Sequence, residues 1–111
     1  MIKVYLYTNE TGELYAFKAY DHGDGIVCSA VSALALNCVN SIDALTEADF
    51  TCDYDNDGGF LHFQYPTGQA GSSSPDVKLL LDSFRLGIEG IATEYKNDLE
   101  VYLNETPLLL K

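Results

Sequence analysis

Three features of the 111-residue sequence predict an α+β domain, two helices packed on a five-stranded sheet in the chain order ββαββαβ. Period-two alternation marks short strands near both ends. Two long segments carry apolar residues at the 3.6-residue spacing of a helix. Two aromatic-rich runs flank a strong turn signal and read as a hairpin. With 47% hydrophobic residues, the chain can bury one core as a single domain spanning 1–111, without a metal or disulfide to hold it.

The first strand is expected over residues 2–8, where Ile2, Val4 and Leu6 alternate with Lys3, Tyr5 and Tyr7. Asn9-Glu10-Thr11-Gly12 reads as a turn, and Leu14 to Ala19 as the second strand of a hairpin. A glycine-containing loop, Asp21-His22-Gly23-Asp24-Gly25, then leads into a helix over Ile26 to Leu45. Positions 28, 31, 35, 38, 42 and 45 form one apolar stripe, widened by Val27, Ala30 and Leu34, so burial on more than one side is expected.

Phe50 to Tyr54 and Phe60 to Tyr65 form the second hairpin around Asp55-Asn56-Asp57-Gly58-Gly59. The Pro-, Gly- and Ser-rich residues from 66 to 74 read as a loop, with Thr67 to Ser74 able to close over a bound peptide. Ser74-Pro75-Asp76 reads as N-cap, first helical residue and dipole-favouring acid. The helix they open carries Val77, Leu80, Leu81, Phe84, Ile88, Ile91 and Tyr95 on one face. Gly87 and Gly90 permit close approach of another backbone. Leu99 to Leu103 is the last strand.

Six basic against seventeen acidic residues give a net charge of −11, which repels phosphate backbones and favours a basic partner. Nucleic-acid binding is therefore not expected. The N-terminus lacks the basic start and apolar core of a signal peptide, and Asn37 and Asn40 interrupt the longest apolar run. A cytoplasmic protein without a membrane role is expected.

Three cysteines without paired zinc-site spacing suit a reducing compartment. Cys28 and Cys38, on one straight helix, would stand about 15 Å apart, too far for a disulfide. No cofactor or metal is expected. Asp53 to Gly58 imitates the opening of a calcium loop, but its twelfth position is Gln64 rather than a bidentate Glu and its flanks read as strands. His62 alternates with Phe60 and Gln64 on one strand face.

Chemistry concentrates at Cys28, at the start of the first helix, where unpaired N–H groups favour a thiolate over a thiol. His22, six residues upstream, is the candidate base. Gly23, Asp24, Gly25 and Ser32 are the candidate substrate-binding residues, with Ser29 a further nearby hydroxyl. Backbone N–H groups around Gly25 to Cys28 would stabilise an oxyanion.

The run Gly25-Ile-Val-Cys-Ser-Ala-Val-Ser32, with Ala-Leu-Ala-Leu-Asn and Val-Asn-Ser-Ile-Asp-Ala-Leu-Thr after it, resembles the ribosomal-processing cysteine protease family, Prp. The Gly-Gly-Phe-Leu-His-Phe strand, the helix from Val77 to Tyr95 and the final strand extend the resemblance over nearly the whole chain. It implies a small α+β homodimer that removes a short N-terminal extension from a ribosomal large-subunit protein precursor, with Cys28 as nucleophile. The family's partner histidine lies in a Gly-His-Ala motif ending the second strand. Here that strand ends Phe17-Lys18-Ala19-Tyr20, and the loop to the cysteine is shorter. The resemblance thus leaves two outcomes: His22 replaces that base, or the chain is a diverged dimeric homologue that binds and cuts poorly.

Overall fold

The computed structural model describes residues 1–20, 25–55, 59–66 and 74–109. Its elements are β1 (Ile2–Thr8), β2 (Leu14–Tyr20), α1 (Ile26–Leu45), β3 (Thr51–Tyr54), β4 (Phe60–Gln64), α2 (Pro75–Glu94), β5 (Leu99–Leu103) and β6 (Thr106–Pro107). The α+β class and its two helices stand. The sheet, however, has six strands rather than five, in the spatial order β3-β4-β2-β1-β5-β6. The sixth strand arises because Asn104 and Glu105 adopt positive φ (50° and 70°) and reverse the chain tightly after β5. Asn104 is secured there by Thr8, whose N–H donates to its Oδ1 at 3.0 Å and whose Oγ1 accepts from its Nδ2 at 2.9 Å.

The sheet is mixed: β1 runs parallel to β5 and every other pairing is antiparallel. Successive side chains of a strand point to opposite faces. One face therefore carries Val4, Leu6, Phe17, Ala19, Leu61, Phe63 and Val101, all buried. Both helices cover this face. Val31, Ala35, Cys38, Val39 and Ile42 of α1, with Val77, Leu81, Phe84, Ile88 and Ala92 of α2, close the core. Phe17 stacks between layers on Phe84, ring centroids 4.1 Å apart.

On the opposite sheet face, where no helix of the described residues packs, half-buried aromatics gather. Tyr5 stacks on Tyr102 at 4.5 Å and meets Tyr20 edge-on at 5.7 Å, while Tyr20 packs on Phe60 at 5.2 Å. Lys18 and His62 lie on this face, opposite each other across β2 and β4.

The helices pack side by side and antiparallel. Leu34 of α1 reaches α2 at Gly87, and Cys38 reaches it at Leu80. A Cβ on Gly87 would stand 3.0 Å from Leu34 Cδ1, so this glycine admits a side chain, not a backbone. Nothing lies within 4 Å of the same point on Gly90, so the close approach expected there is absent. The apolar stripe of α1 also ends sooner than its spacing predicts: Leu45 is 71% exposed. Val39, outside the predicted stripe, is buried as well. α1 is long and apolar enough to cross a bilayer by length and composition; Val31, Ala35, Cys38, Val39 and Ile42 are buried in the core, while Ile26, Leu36 and Leu45 are exposed.

Ser74 caps α2 as expected, its Oγ accepting from Val77 N–H at 3.3 Å, with Pro75 next and Asp76 in the first turn. It thereby belongs to the helix end rather than to a loop. Residues 67–73, expected to close over a peptide, lie outside the described residues.

Candidate active site

Gly25 starts the site. Its φ of 93° and ψ of −159° fall in a region essentially open only to glycine. This conformation turns the chain into α1, whose first i→i−4 bond runs from Ser29 N–H to the Gly25 carbonyl at 3.1 Å. Ser29 Oγ donates to the same carbonyl at 3.1 Å. The N–H groups of Ile26, Val27 and Cys28 lie ahead of that bond, at the electropositive end of a 20-residue helix. No acidic side chain occupies the first turn to offset this field.

Cys28 is half-buried, against the core on one side. It forms no disulfide, and neither do Cys38 or Cys52. Ser32 follows one turn later on the same face, also half-buried, whereas Ser29 points outward. The structure thus brings Gly25, Cys28 and Ser32 together at one helix end. His22, Gly23 and Asp24 lie outside the described residues.

The second histidine is placed decisively elsewhere. His62 sits in β4 opposite Lys18 and Asp53, on the sheet face away from both helices. Burial and the neighbouring Lys18 cation hold its imidazole below the usual pKa, with Asp53 opposing them. His62 therefore lies on the sheet face opposite the one against which Cys28 packs.

The other thiols are ill suited to nucleophilic chemistry. Burial pushes Cys38 up to about 12. Cys52, in β3, is raised by burial and by the Asp53 carboxylate. The calcium-like run begins in β3 itself, with Asp53 and Tyr54 in the strand, so its flanks are strands as expected; residues 56–58 lie outside the described residues.

Periodicity misplaces one residue at the end of α2. Tyr95, read as the last residue of the α2 core face, is the C-cap and is 44% exposed. Antiparallel packing brings this end of α2 alongside the start of α1. The signal available in sequence was the helix length: 20 residues after Ser74 the helix has run past the sheet.

Solved structures share the architecture. The ribosomal processing protease Prp from Staphylococcus aureus, crystallised with a covalently linked product peptide, superposes with a TM-score of 0.83 at 25% identity, covering 93% of this chain and 99% of the other. The same protease with a substrate peptide gives 0.82 at the same identity and coverage. Among curated proteins, the ribosomal processing cysteine protease Prp of Bacillus subtilis is 29% identical over 84 residues, 76% of this chain and 75% of that one. Its Staphylococcus aureus counterpart is 26% identical over 81 residues, 73% of each.

Fold and site together define a small α+β protein of the cysteine-protease class. The family model for cysteine protease Prp matches residues 1–100, and the chain belongs to that family.

Proposed function

We propose that this chain is a cysteine endopeptidase that removes the N-terminal extension of a ribosomal large-subunit protein precursor. The observation that carries the reading is the placement of Cys28 in the first turn of α1, directly behind Gly25. In this scheme His22 takes the thiol proton and the thiolate attacks the scissile carbonyl carbon. The oxyanion is held by backbone N–H groups of the Gly25–Cys28 turn. The amine leaves with the proton from His22, and water then hydrolyses the thioester. Gly23, Asp24, Gly25 and Ser32 line the peptide.

The protein acts as a homodimer in this reading. Leu36, Leu79 and Leu86 support it, being exposed on the helices away from the sheet. A second reading, a homologue that binds without efficient cutting, is favoured by the last residues of β2. Lys18, Ala19 and Tyr20 are all within the strand and supply no histidine.

The test is mass spectrometry of a peptide spanning the extended N-terminus of that ribosomal protein from the source organism, incubated with wild-type, Cys28→Ala and His22→Ala proteins. Single-site cleavage lost in both variants establishes the dyad. Loss with Cys28→Ala alone removes His22 as base, and an inert wild type leaves the binding protein.

A further inference from the structure

β3 is an outermost strand, and its backbone shows which groups face away from the sheet. Asp55 N–H donates to the Phe60 carbonyl at 3.0 Å, so Asp55 and Phe60 form a hydrogen-bonded pair. Antiparallel pairs alternate between bonded and non-bonded types. Asp53 with His62 and Thr51 with Gln64 are therefore bonded, and Cys52 and Tyr54 aim their N–H and C=O groups outward. No described residue pairs with that edge. Beside the start of the strand lies a groove of about 310 Å³ lined by Asp49, Phe50, Thr51, Gln64 and Pro66. At the other end β3 and β2 finish together, linked through Leu61 and Phe60 of β4, and α1 begins shortly after β2.

Charge selects what can lie there. Glu47, Asp49, Asp53 and Asp55 are exposed around the strand, and from Ala19 to Val77 the chain contains no lysine or arginine. Edge strands are commonly blunted by lysine or proline, and β3 has neither. Two copies joined edge to edge would set Asp53 and Asp55 against their own counterparts. A basic strand meets no such repulsion.

We propose that the outer edge of β3 and its groove form a docking track for an extended, basic stretch of the peptide substrate, which adds to the sheet as a further strand. The inference rests on the protease reading, since it takes the occupant to be part of the chain that Cys28 cuts. Outward backbone groups of Cys52 and Tyr54 hold the stretch, the carboxylates select it, and the groove takes an apolar side chain.

The test uses the Cys28→Ala protein with the peptide acetyl-(Lys-Val)4-amide, and acetyl-(Glu-Val)4-amide as its charge-reversed counterpart. Amide hydrogen exchange is followed by NMR. At saturating Lys-Val peptide, the Cys52 and Tyr54 amides are expected to exchange at least about tenfold more slowly, with no slowing by the Glu-Val peptide. Tyr54→Pro removes one outward N–H and no ladder bond, and is expected to weaken binding about tenfold. Unchanged exchange at both amides, or equal protection by the two peptides, overturns the track. Cleavage of the precursor peptide by wild-type protein is a separate readout, so failure of the protease reading is distinguishable from failure of the track.

Discussion

The thiol of Cys38 donates across the helix pair to the carbonyl oxygen of Leu80, 3.8 Å away. It ties α1 to α2 in the core and keeps its proton because the surroundings are apolar. Its pKa of about 12 lies above the ordinary 9.0, so below pH 9 folded and unfolded chains both hold the proton. As pH rises from about 9 towards 12 the unfolded chain loses it first, and stability falls. Urea unfolding of wild type should show this alkaline decline, and Cys38→Ala should show a shallower one.

The three thiols should separate by reactivity. Iodoacetamide at pH 7.5 is expected to modify Cys28 first, since it is half-buried at a helix N-terminus. Cys52 should follow slowly, its pKa being raised by burial and Asp53. Cys38 should resist until the protein unfolds. Peptide mapping by mass spectrometry reads the order; modification of Cys38 ahead of Cys28 would contradict the placement of both.

Gly25→Ala is expected to destabilise the protein by about 1–3 kcal/mol, the cost of holding a side-chain-bearing residue in this backbone region. Because the nearest space is open, the loss comes from backbone strain and not from collision. Thermal unfolding gives the stability change. Proteolytic activity should fall with it, since the turn that carries Cys28 must move.

The two glycines of α2 should respond differently to alanine. Gly90 has open space around it, so Gly90→Ala should raise stability by about 0.5–1 kcal/mol through helix propensity. Gly87→Ala gains the same propensity but crowds Leu34 at 3.0 Å. Its stability change, by denaturant titration, should be smaller than that of Gly90→Ala.

His62 should mark the acid limb. Its lowered pKa means that the folded protein resists protonation, so its contribution is present above the unfolded value of 6.5 and is lost as pH falls through the folded one. His62→Gln should flatten the stability profile below pH 6.5. An unchanged acid limb would show that His62 titrates as in the unfolded chain.

The position of Cys28 in the fold was legible because its signals are local. A cysteine behind a glycine, at the start of an apolar helical run, places the thiol at a helix N-terminus without reference to the rest of the chain. Placing His62 on the sheet face opposite Cys28 needed the sheet, since period-two alternation assigns a residue to a face but not to the covered or the open one. The edge at β3 was invisible for the same reason: pairing partners are set by contacts far apart in sequence.

The sequence by itself determined the elements. The ranges 26–45 and 99–103, and the Ser74-Pro75-Asp76 helix start, follow from periodicity and capping, which act over a few residues. Only the tertiary structure decided the strand order, the parallel pairing of β1 with β5 and the burial limits of each helix. It also decided β6, whose turn lacks the glycine that would have announced it and is held instead by Asn104 on Thr8, 96 residues away. Positive φ at Asn104 and Glu105 is a local cost that this distant anchor offsets, and no reading of neighbouring residues contains the anchor.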